Sequence, residues 1–192
     1  MIKKQNYLKH AIVLFLLLLL MQPERAWAAY ENVEFSSLTN HDGLTNSQVG
    51  AILKDTRGYI WFGTQSGLCR FDGFRMKTFY YINTDDKSLP NNSVDELQQD
   101  YGGNIWVHTS VGYCIYKYDE EQFERKPEEW LKNIHVQGPP YKLLIDKDKN
   151  MWIAVYGQGL YYHNAKTKNT YLFKFENKYQ LMATQFAAYG NI

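Results

Sequence analysis

At 192 residues, with 45% apolar and 21% charged residues and a net charge of +1, the chain has the composition of an ordinary globular protein with room for one domain. These values exclude a disordered chain, an acidic tail and a basic nucleic-acid-binding surface, so no nucleic acid is expected to bind this segment. The aromatic share of 16%, with sixteen Tyr and five Trp, leans toward pleated, half-buried β structure.

In chain order, the first element is an export signal. Lys3, Lys4 and Lys9 precede an apolar run from Ala11 to Met21, and "QPERAWA" then supplies Ala26 and Ala28 in a small-x-small arrangement. This is the plan of a secretory signal peptide, residues 1–28, cleaved after Ala28. The apolar run is too short for a membrane anchor, which needs ~20 residues. Its removal takes away four basic residues and one acidic residue and leaves a nearly neutral chain.

Residues 29–47 read as a lead-in, and residues 48–192 as repeats. "DTRGYIWFGTQSGLCRFDG" (55–73), "DYGGNIWVHTSVGYCIYKYD" (100–119) and "DKDKNMWIAVYGQGLYYHN" (146–164) align on Trp61, Trp106 and Trp152, spaced 45 and 46 residues apart. Asp55, Asp100 and Asp146 stand six positions before each Trp, and Gly58 and Gly103 three before, with Lys149 in the third copy. Gly67, Gly112 and Gly159 follow at nearly equal distance, the third copy carrying one extra residue near Gly157.

Within a unit the apolar pattern is that of short strands. "QVGAILKD", "YIWFGT", "LCRFD" and "FRMKTFYY" are four runs divided by turn residues, and the second unit repeats them. Four strands in about 45 residues is the blade of a β-propeller, so an all-β propeller is predicted, with blades near 48–91, 92–139 and 140–184. "PEEWLKNI" could add one turn of helix. The final "YGNI" matches "GGNI" (102–105), which places the start of a fourth blade at 185–192. A propeller needs ~4–8 blades, so this reading expects a longer protein or an interrupted gene, with open apolar blade faces until the ring is completed.

Residues 40–73, "NHDGLTNSQVGAILKDTRGYIWFGTQSGLCRFDG", resemble the two-component-regulator propeller family. The later copies fit less closely: His108 and Ala154 stand where the pattern has the Gly seen as Gly63, and Val155 replaces the Thr of Thr64 and Thr109. The resemblance covers about residues 35–175. It implies the periplasmic N-terminal sensor of a hybrid two-component histidine kinase of the Bacteroidetes type. The ligand would be an oligosaccharide, bound by the completed propeller. Further blades, an inner-membrane anchor and the kinase parts would lie downstream, and the resemblance is compatible with a homodimer.

Chemistry beyond this is sparse. Asp146, Asp148 and Asn150 spell half a calcium loop, but Met151 and Gly157 stand where it needs Gly and Glu, so an Asx-rich hairpin is expected and no metal or other cofactor. The repeated Asp residues are read as acceptors for turn amides two or three positions on. Cys69 and Cys114 hold equivalent sites in neighbouring blades, ~10 Å apart, and read as two buried thiols rather than a disulfide. His41, His108, His135 and His163 have no metal-ligand spacing, and His163 falls near the turn site of Asp72. No catalytic motif is found, so no enzyme activity is expected of this chain. The recurring Trp residues are assigned to the core. Ligand contacts are expected from residues that differ among the copies, with the loop aromatics Tyr81, Trp130, Tyr141 and Tyr156 as candidates. The rival readings are a secreted propeller lyase or hydrolase acting on polysaccharide, and a periplasmic scaffold.

Overall fold

The computed structural model describes residues 36–174. The signal-peptide assignment at 1–28 and the fourth-blade assignment at 185–192 lie outside the described residues. Between those limits the chain forms three four-stranded antiparallel sheets, each a simple meander. The first holds β1 (Val49–Lys54), β2 (Ile60–Thr64), β3 (Gly67–Phe71) and β4 (Met76–Phe79). The second holds β5 (Val94–Gln99), β6 (Ile105–Thr109), β7 (Gly112–Lys117) and β8 (Gln122–Glu124). The third holds β9 (Pro140–Ile145), β10 (Met151–Val155), β11 (Gly159–His163) and β12 (Thr170–Phe173). The fold is therefore all-β, built from propeller blades as the repeat predicts. One short helix, α1 (Pro127–Lys132), links the second blade to the third, opened by Pro127 and with Glu128 and Glu129 in its first turn.

Each blade begins with the same hairpin. Asp55 Oδ1 accepts from the amides of Arg57 and Tyr59, Asp100 Oδ1 from Gly102 and Asn104, and Asp146 Oδ1 from Asp148 and Asn150. The bonds thus span two and four residues rather than two or three. The residue that turns the hairpin has positive φ: 93° at Gly58, 85° at Gly103 and 66° at Lys149. Lysine in the third copy therefore adopts a conformation that glycine takes without strain.

The first strands of successive blades, β1, β5 and β9, are neighbours, so they form the inner side, while β4, β8 and β12 form the rim. The core lies between blades rather than within any one of them. Trp61, Leu68, Leu89, Val94, Tyr116 and Phe123 belong to a buried cluster between the first two. Trp106, Tyr113, Leu131, Leu143, Met151 and Ile153 belong to the next. Cys69 and Cys114 are buried free thiols, and burial pushes the Cys114 thiol far above its usual range.

The two inter-blade joints are built differently. At the first, Trp61 donates Nε1 to Asp55 Oδ2 at 2.7 Å, and the Tyr118 hydroxyl of the second blade reaches the same carboxylate oxygen. Trp61 stacks on Phe79 and meets Tyr116 edge-on at 5.1 Å. Arg70 donates to the Tyr116 hydroxyl at 3.2 Å. Gly63 is required here, because a Cβ at that position would lie 2.6 Å from Val94 Cγ1. At the second joint Trp106 keeps its bond to Asp100, 3.0 Å, but its edge-on partner is Trp130 of α1 at 5.3 Å.

Candidate functional site

The three blades share one irregularity. The pairing of each first strand with its neighbour slips by one residue near its start, between Val49 and Ala51, between Val94 and Glu96, and opposite Ala154 and Val155. Gly50, Asp95 and Tyr141 are the extra residues. A bulge of this kind re-aims a side chain and lets two adjacent residues escape strict alternation. The residue after each bulge heads a row across its blade: Ala51–Gly63–Leu68 in the first, Glu96–His108–Tyr113 in the second, and Lys142–Ala154–Leu160 in the third. The first row is apolar, and Val94 packs closely on its Gly63. The second is polar throughout, and it meets the third blade.

Its geometry is well defined. Tyr113 donates its hydroxyl to Glu96 Oε2 at 2.6 Å and accepts from the Leu143 amide at 3.1 Å. Lys142 Nζ donates to Glu96 Oε1 at 2.9 Å, so this one carboxylate is shared by two blades. His108 Nδ1 lies 2.6 Å from Asp95 Oδ1, and its ring sits 4.4 Å from that of Tyr113. Burial, reinforced by the hydrogen bond and charge of Glu96, pushes the Tyr113 phenol far above its usual range and keeps it a hydrogen-bond donor. With Nδ1 held by Asp95, Nε2 is the imidazole nitrogen left for a ligand.

Part of this wall is open. The Asp95 side chain is 56% exposed, that of Lys142 45% and that of His108 29%. Tyr141, beside Lys142, is 58% exposed. A carboxylate, an imidazole, an ammonium and a phenol ring on the inner wall provide acceptors, donors and a stacking face for a hydroxyl-rich ligand.

Of the four aromatics proposed from sequence, Tyr141 is the one beside this wall, and it lies on β9 rather than in a loop. Tyr81 is exposed in the connection after β4, its hydroxyl on Asn83 and the Arg125 guanidinium 5.5 Å from its ring. Tyr156 is exposed in the turn after β10. Trp130 is not a loop residue but part of α1, half-buried against Trp106 and Tyr101. The repeated Trp residues differ in burial: Trp61 and Trp106 are fully enclosed, whereas Trp152 is half-buried beside Tyr162. His163 is not at a turn; it closes β11 opposite Met151 and is 1% exposed. His135 lies in the connection after α1 with φ 61°.

Asp95, Glu96 and His108 were missed as a group. The available signal was His108 standing in place of Gly63, together with two acids in a strand run. Among the described residues no group of three His, Cys, Asp or Glu is arranged to hold a metal ion, and "DKDKN" forms the Asx hairpin, with Asn150 Nδ2 donating to Asp146 Oδ2.

In comparison with known proteins, residues 43–66 match the model of a family described as "Two component regulator propeller". A curated relative, Histidine kinase P4 of Formosa agariphila, is 41% identical over 61 residues, 32% of this chain and 4% of its own length. A solved structure assigned to the extracellular domain of a hybrid two component system from B. thetaiotaomicron superposes with a TM-score of 0.53 at 24% identity. The match covers 72% of this chain and 20% of that one, and establishes the fold. The chain therefore spans a small part of the length of the proteins it matches.

Proposed function

We propose that this chain, which carries a two component regulator propeller repeat, is a ligand-recognising arc of the exported sensor propeller of a hybrid two-component signalling protein, and that its ligand is an oligosaccharide. The observation that carries the reading is the polar row Glu96–His108–Tyr113, tied to Lys142 of the next blade. It occupies the place where the first blade is packed shut by Val94. Support for the signalling context comes from the repeat at 43–66 and from the histidine kinase similarity. The wall joins two blades, so a ligand bridging Asp95 or His108 to Tyr141 or Lys142 changes the forces between them. That gives binding a route to a conformational signal. The enclosed Trp61 and Trp106 hold the scaffold and take no part in recognition.

Export follows from residues 1–28 and is checked by fractionating cells that express the chain with and without them. Binding is checked by calorimetric titration of the completed propeller that contains this chain against a panel of neutral oligosaccharides. At least one glycan should bind, and His108→Ala should weaken it about tenfold, the loss of roughly one well-made hydrogen bond. Silence across the panel would sink the sugar-sensing proposal.

A further inference from the structure

A second concavity lies away from the inner wall, on the rim of the third blade. It is a cleft of about 690 Å³ between the connection after α1, the β10–β11 turn and β12. Its origin is a row of side chains that the neighbouring blade covers only in part. Leu143, Ile153, Tyr161 and Leu172 run across the third blade on the face turned to the second. The first three are buried, but Leu172 is 39% exposed. The second blade ends early, because β8 has three residues before the chain turns into α1. At the previous joint the equivalent connection is drawn in tightly: Leu89 is buried, and the Arg125 guanidinium binds the carbonyls of Asp85, Ser88 and Leu89. The connection after α1 buries Ile134 and Val136, but among the described residues it has no guanidinium clasp of that kind. Thr170 Oγ1, donating to the Ile134 carbonyl at 2.6 Å, ties it at one end, and the cleft opens beyond.

Its lining has a consistent chemistry. Gln137 and Gln158 bring two amides, each both donor and acceptor. The Tyr161 hydroxyl donates to Gln158 Oε1 at 2.8 Å, which fixes that amide and leaves its NH2 for a ligand. His135 is set beside them by a backbone in the left-handed region, φ 61°, where non-glycine residues are uncommon and associated with functional strain. Leu172 supplies an apolar wall. Lys174 brings a positive charge, and among the described residues no acidic one lines the cleft. The volume suits one or two sugar rings.

We propose that this cleft is a second binding site, specific for an acidic sugar unit, a hydroxylated ring that carries a carboxylate or a sulfate. Lys174 pairs with the anion, Gln137 and Gln158 bind ring hydroxyls, and Leu172 packs against the apolar side of the ring. This goes beyond the inner-wall reading and does not depend on it.

The test is equilibrium binding of the full chain to a galacturonic acid trimer, a sulfated galactose disaccharide, a neutral galactose trimer and inorganic sulfate. At least one acidic sugar should bind at least tenfold more tightly than both the neutral trimer and inorganic sulfate, and more weakly as salt is raised; the two acidic arms identify the anion. Lys174→Met and Gln158→Leu, both at exposed positions, should each weaken it at least fivefold, with unchanged thermal midpoints showing that the fold is kept. A neutral glycan held by the inner wall should not displace the acidic one, which separates failure of either site from failure of the other. The proposal is overturned if no acidic sugar binds, if both variants bind as the parent does, if neutral glycans compete, or if sulfate alone binds equally well.

Discussion

The joint between the first and second blades and the joint between the second and third use the same repeat for different ends. In the first, one carboxylate, Asp55, holds the hairpin amides, the Trp61 indole and the Tyr118 hydroxyl of the next blade. Gly63 lets Val94 close the inner side. In the second, the edge-on aromatic partner of Trp106 comes from a helix, His108 replaces the glycine, and the inner side is held by Glu96 between Tyr113 and Lys142. An apolar joint with a buried clasp resists opening. The second joint also buries an apolar cluster, but its inner side rests on partly exposed charge pairs, which contribute ~0–1 kcal/mol each. A repeat fixes the scaffold, and the proposed site falls where a copy departs from it.

The comparison can be broken most directly at its tryptophans. Trp61→Ala should cost ~3–5 kcal/mol of stability, the range for emptying a buried large aromatic site. Trp152→Ala, at a half-buried position, should cost well under half of that in urea denaturation. Equal losses would show that burial does not rank the sites. Next, Asp55→Ala removes the acceptor for a buried indole and a phenol as well as the turn amides, and should cost ~2–4 kcal/mol. Asp146→Ala loses the hairpin bonds and should cost ~1 kcal/mol. Gly63→Ala should cost ~1–3 kcal/mol by overpacking against Val94.

The smallest effect concerns pH. Burial, aided by the nearby Lys168, holds the His163 imidazole below its ordinary value of 6.5. Its Nδ1 is bonded to Thr170, and the buried Nε2 has no partner among the described residues. The unfolded chain therefore takes up the proton first, so the stability contribution is complete above pH 6.5 and falls away as the pH drops toward the lower folded value. His163→Phe, which copies Phe71 at the equivalent register position, should flatten thermal stability as the pH falls below 6.5. An unchanged slope would place the titration elsewhere.

Much of the scaffold was legible in the sequence, and the physical reason is periodicity. A Trp every 45 or 46 residues, with an Asp six before it, marks a unit that must bury the same face against the same kind of neighbour. The bond from that Asp to the indole was not seen, because hairpin formation already accounted for the acid. The extra residue in the third copy shifted its alignment and sent His163 to a turn, whereas pairing with Met151 puts it on a strand. The inner wall was hidden for a deeper reason. Strict alternation would send the adjacent Asp95 and Glu96 to opposite faces, and the bulge that lets them share a wall is a property of the paired strands. Trp130 was read as a loop aromatic because its six-residue helix is short and its partner, Trp106, lies 24 positions away.

The central claim is that ligand is read at the second joint while the first serves as scaffold. Residue-resolved hydrogen exchange, with and without a glycan bound in calorimetry, tests it most directly. Protection should rise at the start of β5 and β9, around Asp95, Glu96, Tyr141 and Lys142, and stay unchanged around Asp55, Trp61 and Tyr118. Protection confined to the first joint, or spread equally over both, would contradict the account.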